Sequence, residues 1–168
     1  MVTLALGLAV TEAILGATGI PCDLRWPNDV MAAGKKCAGI LVQLYDDAVI
    51  AGIGINVNQT AFPEELKPLA TSLRIVSGKE QSRDRLLDHL LDSIDSYLET
   101  LAVDGKDAIL RMFSEASSYV RGRRVVVDQG GNSMEGTTDG LDASGFLILR
   151  KNDGQRTLIL AGGVRPAS

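Results

Sequence analysis

The hydrophobic pattern in the first third of the chain predicts one buried helix followed by strands. Residues 2–16 are apolar on nearly every face, and Gly16 or Gly19 ahead of Pro21 would end a helix there. Apolar runs then alternate with turn-forming residues, a pattern typical of short strands. The predicted strands are a short one leading into Trp26 and longer ones at 30–33, 37–44 and 48–57.

The rest of the chain changes from helical to β periodicity. Residues 59–81 contain two prolines and no clear period, so we expect a binding loop with one short turn at 64–66. Leucines at helical spacing from Ser82 to Leu101 predict an amphipathic helix, and 107–117 predicts another. After Tyr119, short apolar runs separated by turn residues favour a small barrel. The predicted strands are 124–128, 134–141, 146–151 and 156–161, with turns at 130–132, 142–145 and 152–154.

Composition narrows the class of protein. The chain has 168 residues and a net charge of −4, which argues against a nucleic-acid partner. Its two cysteines, Cys22 and Cys37, lie in apolar surroundings, so we expect buried free thiols in a reducing compartment. No apolar stretch is long enough to span a membrane, and we therefore expect a cytoplasmic protein.

The five residues from Arg25 to Asp29 carry the strongest chemical signal. They place a cation, an indole, a rigid ring, an amide and a carboxylate in succession, ahead of a predicted hairpin with its tip at Gly34-Lys35. Asp29 and Lys36 would then sit on opposed strands of the hairpin, near enough to converge on one site. From the residues alone two interpretations stay open: an exposed cross-strand ion pair that contributes little to stability, or a catalytic site.

The strand that follows ends in unusual residues. Gly52 and Gly54 weaken a strand, so they indicate close approach of a ligand or tight packing against the helix at 2–16. The amides of Asn56 and Asn58 at its end would suit recognition of a base or a phosphate. In the loop beyond, Phe62 is either a stacking residue or an apolar anchor.

These blocks resemble the signature of biotin protein ligases, in which K-W-P-N-D is followed by a short hairpin and K-x-x-G-I-L. Arg25 stands where the family has lysine. A second block from Gly52 to Asn58 follows at the family's spacing, as do 62–66 and 70–73. The matching residues of the first block are Trp26, Pro27, Asn28, Asp29, Lys36, Gly39, Ile40, Leu41 and Gln43.

The resemblance implies an α/β (α+β) fold. A mixed β-sheet covered by helices, of the class II synthetase and biotin/lipoate ligase type, would be followed by a small SH3-like β-barrel. Residues 1–118 would form part of the catalytic domain and 119–168 the barrel. The barrel motifs are matched at 122–125, 140–142 and 161–164. Gly163 replaces an acidic residue there, which weakens any role for this terminus at the nucleotide site.

The resemblance also implies a reaction. ATP would activate the biotin carboxylate as biotinyl-5'-AMP, which a lysine of a biotin carboxyl carrier protein would attack. Lys36 would bridge the carboxylate and the α-phosphate, and Asp29 would orient Lys36, hold Mg²⁺ or assist proton loss from the acceptor amine. The expected ligands are ATP and biotin with accompanying Mg²⁺, and no protein metal site is predicted. The expected biotin-binding residues are Trp26, Lys36, Gly39, Ile40, Leu41 and Gly54, and the expected nucleotide-binding residues are Asn28, Asn56, Asn58 and Phe62.

The family's loop G-R-G-R-x-G-R has no counterpart in these residues. Because such a loop supplies phosphate-binding charge, we expect impaired adenylation without it. A noncatalytic relative that serves as a binding or assembly module is therefore an alternative. A lipoate or octanoate transferase is a third interpretation, disfavoured by the Trp-Pro-Asn-Asp block and the terminal barrel. An unpaired sheet edge would also favour a homodimer.

Overall fold

Helix α1 (Val2–Thr18) is the central element, in a computed structural model that describes residues 1–129 and 132–167. Side chains on all of its faces are buried, because its sequence is apolar throughout its first turns. Gly19 ends it with φ 76° and donates its N–H to the carbonyl of Leu15 at 2.8 Å. The predicted helix is therefore confirmed and extends to Thr18. Among the described residues, no helix combines the length and apolarity needed to cross a membrane.

Four strands form the first sheet, in the order β1-β2-β3-β4. Neighbouring strands run antiparallel, so this sheet is antiparallel and not mixed as the sequence predicts; an isolated parallel bridge joins Lys36 to Ala70 in the loop after β4. The predicted hairpin is confirmed, with its turn at 33–34. The strands are β1 (Asp23–Arg25), β2 (Asp29–Ala32), β3 (Lys35–Tyr45) and β4 (Ala48–Ile55).

The segment expected to be a loop contains a short helix, α2 (Leu73–Ser77). The Ser72 hydroxyl accepts a hydrogen bond from the Ile75 N–H at 3.0 Å and caps its start. The first helical N–H groups donate to the carbonyls of Asn56 and Val57. This contact explains why β4 ends before the predicted limit at 57. A helix this short carries no visible apolar period, so the sequence pattern did not predict it.

Two longer helices cover α1. They are α3 (Arg83–Val103) and α4 (Lys106–Ala116), close to the predicted limits. The Ser82 hydroxyl caps α3 by accepting a hydrogen bond from the Arg85 N–H at 3.2 Å.

Five strands form the second sheet, in the order β8-β7-β6-β5-β9, and all neighbours run antiparallel. The four predicted strands are confirmed, whereas β9 was not predicted because Gly163 and Pro166 disfavour a strand. It is held at the sheet edge by pairing with β5, where Val164 lies opposite Val127. The strands are β5 (Arg121–Gln129), β6 (Asn132–Leu141), β7 (Leu147–Arg150), β8 (Arg156–Ile159) and β9 (Gly163–Pro166).

One apolar core serves both sheets. Its fully buried members include Leu24 of β1, Phe113 of α4 and Leu149 of β7. The predicted domain boundary at 118 falls between α4 and β5, and it stays a prediction. The predicted turn at Gly130-Gly131 lies outside the described residues.

Candidate active site at the Asp29–Lys36 pair

Asp29 lies between two cations where the first three strands meet. Its Oδ2 accepts hydrogen bonds from Arg25 Nη2 at 2.7 Å and Nε at 3.2 Å, and its Oδ1 forms an ion pair with Lys36 Nζ. Strand register produces this arrangement, because Arg25 lies opposite Asp29 across β1 and β2. Asp29 is 16% exposed and Lys36 is 42% exposed. A carboxylate engaged through both oxygens has a fixed orientation, so Asp29 can orient Lys36.

Gly39 provides the space that the Lys36 side chain occupies. It lies opposite Asp29, and a Cβ built on it would stand 3.0 Å from both Cε and Nζ of Lys36. The main chain of Lys36 is fixed as well: its N–H donates to the Leu69 carbonyl and its carbonyl accepts from the Thr71 N–H, each at 2.9 Å. The loop after β4 therefore holds Lys36 from one side while Asp29 holds it from the other.

A cavity of about 480 Å³ opens beside Lys36, and we call it the glycine cleft. Its volume lies within the range of small-ligand pockets. Seven of the lining residues come from β3 and β4, so the floor of the cleft is a stretch of two-stranded sheet with Lys36 at one end. The lining residues are Asn28, Lys36, Gly39, Ile40, Leu41, Gly52, Ile53 and Gly54. Four of the predicted biotin-binding residues besides Lys36 are thereby brought together.

The glycines of β4 are explained by the cleft and not by helix packing. A Cβ built on Gly54 would meet nothing within 4 Å among the described residues. One built on Gly52 would meet only the Leu41 carbonyl oxygen at 4.0 Å. Close packing against α1 is therefore not the reason for these glycines. They leave the floor of the glycine cleft without side chains.

A second cavity of about 360 Å³ lies on the other side of the ion pair, and we call it the junction cleft. Lys36 lines both cavities, whereas Arg165 reaches the junction cleft from β9. The Arg165 guanidinium donates to Asp128 at 2.9 Å, and this hydrogen bond holds the pKa of Asp128 below its usual range. The lining residues are Arg25, Asp29, Lys36, Leu66, Leu69, Ala70, Asp128, Gly163, Val164 and Arg165.

The C-terminal strand reaches the junction cleft, where Gly163, Val164 and Arg165 line a cavity that also contains Lys36. The sequence predicts that Gly163 weakens a role of this terminus at the nucleotide site, and this stays a prediction. Sequence analysis missed Arg165 because it is far from the signature in sequence and belongs to the unpredicted β9. No local pattern indicates that these segments meet.

The predicted nucleotide-binding amides have structural partners. Asn28 lines the glycine cleft, and its Nδ2 donates to the Ile40 carbonyl at 2.8 Å. Asn56 Nδ2 donates to the Thr71 carbonyl at 3.1 Å, and Asn58 exchanges two hydrogen bonds of 2.9 Å with the main chain of Gln81. These bonds anchor the loop that follows β4. Neither Asn56 nor Asn58 lines either cleft, and half-buried Phe62 does not either.

Trp26 is placed away from both clefts. Its side chain is buried, with 3% of the residue exposed, and its indole N–H donates to the carbonyl of Gly145 in the second sheet at 2.9 Å. The structure therefore does not bring Trp26 to the predicted biotin-binding group. The hydrogen bond to Gly145 instead directs the indole towards the turn between β6 and β7.

The two cysteines line neither cleft. Cys37 is buried and Cys22 half-buried, and both thiols are free, as predicted. A hydrogen bond with Cys22, together with burial, raises the pKa of the Cys37 thiol. Among residues 1–129 and 132–167, no three His, Cys, Asp or Glu side chains form a group able to hold a metal ion.

Comparisons with known proteins give the family. Residues 1–59 match the Biotin/lipoate A/B protein ligase family, and residues 121–164 match the Biotin protein ligase C terminal domain. Biotin protein ligase from Aquifex aeolicus, solved in complex with biotin and ATP, is 34% identical with a TM-score of 0.88; the match covers 99% of this chain and 71% of that one. The chain belongs to the biotin protein ligase family.

The match to other biotin protein ligases extends over nearly the whole chain. The Biotin--[acetyl-CoA-carboxylase] ligase of Mycobacterium tuberculosis is 35% identical over 167 residues, covering 96% of this chain and 60% of that protein. The Bifunctional ligase/repressor BirA of Bacillus subtilis is 33% identical over 166 residues, covering 95% and 51%. The chain thus spans about half of the latter relative's length. Most of the second sheet lies within residues 121–164, the part that matches the Biotin protein ligase C terminal domain.

Proposed function

We propose that this chain takes part in the attachment of biotin to a carrier lysine through biotinyl-5'-AMP. One observation carries the proposal: Lys36 lies where the glycine cleft and the junction cleft meet, and Asp29 fixes its side chain. A cation between two cavities can serve a reaction that joins two anionic substrates. The similarity to a ligase solved with biotin and ATP supports the same assignment.

Biotin would occupy the glycine cleft. Side chains of Ile40, Leu41 and Ile53 supply apolar lining, while Gly39 and Gly54 leave room for a ring system. Lys36 at the end of the cleft would attract the biotin carboxylate. Polar contact at one end and apolar lining along the rest suit a ligand with an apolar body and an acidic tail.

ATP would present its phosphates at the junction cleft. Arg25, Lys36 and Arg165 supply three positive charges there, against the carboxylates of Asp29 and Asp128. A carboxylate oxygen of biotin attacks the α-phosphorus, a P–O bond forms, and the bond to pyrophosphate breaks. Lys36 would neutralise both reacting anions and so lower the repulsion between them.

The second step transfers the acyl group. The neutral amine of a carrier lysine attacks the acyl carbon of biotinyl-5'-AMP, the C–N bond of the amide forms, the bond to the AMP phosphate breaks, and the nitrogen releases one proton to solvent water. Asp29 suits the orientation of Lys36 better than the role of base, because both of its oxygens already accept from cations. We therefore assign Asp29 to positioning. Asn56, Asn58 and Phe62 remain proposed nucleotide contacts of the loop after β4.

Magnesium does not fit these side chains as a protein-held ion. Asp29 is the carboxylate beside Lys36, and Arg25 and Lys36 engage its two oxygens. Mg²⁺ commonly binds through one or two carboxylates together with substrate phosphates. We propose only that the ion accompanies ATP, and no step above depends on it.

The remaining proposals concern partners and location. A biotin carboxyl carrier protein domain is the proposed acceptor, and two free thiols suit a reducing, cytoplasmic location. Among the described residues β4 pairs with β3 only, and it carries exposed Val49 and Ile50. An apolar edge strand of this kind favours pairing with a second copy, so we propose a homodimer.

The proposal is tested by biotin-dependent exchange between ATP and pyrophosphate. We expect exchange at an impaired rate with the unaltered chain, as the sequence predicts, and a further loss of at least about a hundredfold in Lys36→Ala, since one charge that stabilises the reacting anions contributes on that scale. Lys35→Ala is the matched control, because Lys35 Nζ donates to the Lys67 carbonyl and lines neither cleft.

A negative result is also informative. Absent exchange combined with biotin binding by calorimetry would favour the noncatalytic binding module. Absence of both would contradict the proposed function. Lipoate bound in preference to biotin would instead support the transferase interpretation.

A further inference from the structure

Trp26 connects the signature segment to the second sheet. Its indole N–H donates to the Gly145 carbonyl at 2.9 Å, across 119 positions of sequence, and the bond is buried. Trp26 lies between Arg25 and the residues Asn28 and Asp29, so its side chain is anchored within the segment that carries these site residues. The proposed reaction assigns this contact no role, because Trp26 lines neither cleft.

The turn that contains Gly145 is held in one conformation. Asp142 Oδ1 accepts hydrogen bonds from the N–H groups of Ser144 at 2.9 Å and Phe146 at 2.8 Å. Gly145 has φ +82°, and a Cβ there would lie 2.5 Å from Met1 Cε. The turn is therefore rigid and docked against the start of α1, so it can present its carbonyl at a fixed position.

A second set of contacts holds β1 from the same side. The Ser117 hydroxyl donates to the Leu24 carbonyl, and Asp23 accepts from both the N–H and the hydroxyl of Ser118. These bonds fix β1 up to Leu24, and Trp26 extends the anchoring beyond Arg25. Residues after Trp26 then enter the site directly.

Asn28 connects this anchored segment to β3 through two hydrogen bonds. Its carbonyl accepts from the Ile40 N–H at 2.9 Å, and its Nδ2 donates to the Ile40 carbonyl at 2.8 Å. Asp29 follows and holds Lys36. A displacement of Trp26 would therefore move Asn28, which lines the glycine cleft, and Asp29, which pairs with Lys36.

We propose that Trp26 is a positioning residue through which the second sheet sets the geometry of Asn28 and Asp29. The expected effect of Trp26 on catalysis rests on the proposed function, whereas the structural connection from Trp26 to Asn28 and Asp29 does not. The same bond interpreted as ordinary core packing would stabilise the whole chain without acting selectively on the site. Selectivity is therefore the property to measure.

The test compares three variants of the ligand-free chain by amide hydrogen exchange. Trp26→Phe removes the donor and keeps an aromatic ring, whereas Asp142→Ala loosens the turn without touching Trp26. Asp153→Ala is the matched control, because Asp153 caps the neighbouring turn through the Gln155 N–H at 2.9 Å. The reporter is the exchange rate of the Ile40 amide divided by that of buried Val10 in α1.

We expect this ratio to rise about tenfold in Trp26→Phe and in Asp142→Ala, the scale of one lost hydrogen bond, and to stay unchanged in Asp153→Ala. The double variant should show no more than the larger single effect, because both changes break one connection. Trp26 is the only tryptophan, so its fluorescence in Asp142→Ala should also shift to longer wavelength. An unchanged ratio, additive effects, or an equal response in Asp153→Ala would overturn the proposal.

Biotin binding separates this inference from the proposed function. We expect the dissociation constant for biotin to rise in both Trp26→Phe and Asp142→Ala and to remain the same in Asp153→Ala. A chain that binds no biotin at all would contradict the proposed function and leave the exchange ratio as a valid test. Unaltered biotin affinity with a raised ratio would restrict the coupling to the ligand-free fold and overturn the claim that it positions the site.

Discussion

Gly39 and the end of the Lys36 side chain lie so close that a methyl group on residue 39 would stand 3.0 Å from Lys36 Nζ. The Lys36 side chain is flexible and partly exposed. A methyl group on residue 39 would therefore displace its ammonium group and leave strands β2 and β3 paired. The position of the cation therefore depends on the absence of a side chain on the opposite strand. Geometry at a reacting centre is sensitive to displacements of this size.

We predict that Gly39→Ala lowers ATP–pyrophosphate exchange by about tenfold or more while the free energy of unfolding changes by less than about 1 kcal/mol. Gly54→Ala is the control, because a methyl group there meets nothing within 4 Å and enters the glycine cleft instead. It should weaken biotin binding without altering the contact between Lys36 and Asp29. Equal effects of both variants on exchange at saturating biotin would contradict this assignment.

Replacement of Asp29 should separate orientation from charge. Asp29→Asn keeps the shape of the side chain but leaves Arg25 and Lys36 without their shared anion. We expect the turnover rate to fall by about ten- to a hundredfold and the KM for ATP to remain or fall, because the site becomes more positive. A large rise in KM for ATP would contradict the positioning role.

The same substitution has a consequence for stability. Loss of charged hydrogen bonds at a largely buried carboxylate should lower the free energy of unfolding by about 1–2 kcal/mol in urea titrations. Glu64→Gln gives the comparison, since Glu64 is 83% exposed in its pair with Lys67. That variant should change stability by less than about 0.5 kcal/mol.

For Asn58, in the loop after β4, a structural role in closing the loop can be distinguished from nucleotide binding. Asn58 joins Gln81 through two hydrogen bonds of 2.9 Å, whereas Asn56 makes one of 3.1 Å with Thr71. If loop closure is the main role, Asn58→Ala should destabilise the chain by about 1–2 kcal/mol and Asn56→Ala by less. Unchanged stability with a raised KM for ATP would instead support the nucleotide contact predicted from the sequence.

Sequence analysis reached the parts of the site that are local in the chain. Asp29, Lys36 and Gly39 belong to one hairpin that turn residues and apolar alternation predict, although an irregularity between Val30 and Met31 shifts its register and places Gly39 opposite Asp29. Arg165 and the Trp26 partner Gly145 are set by packing between sheets that are far apart in sequence, and no periodicity encodes such contacts. For the same reason the sequence predicts the other four strands of the second sheet but not β9. That strand is held by pairing with β5, although its composition disfavours a strand.

Arg165 provides the sharpest test of the junction cleft. Its guanidinium donates to Asp128, and that bond holds the pKa of Asp128 below its usual value, so the pair stays charged at neutral pH. If ATP phosphates bind there, Arg165→Ala should raise the KM for ATP by about tenfold and leave the biotin dissociation constant unchanged. The effect should shrink as salt concentration rises, since salt screens an exposed charge. Arg156→Ala is the control, because Arg156 pairs with Asp139 and lines neither cleft. Equal changes in the two variants would indicate a general charge effect and would remove Arg165 from the site.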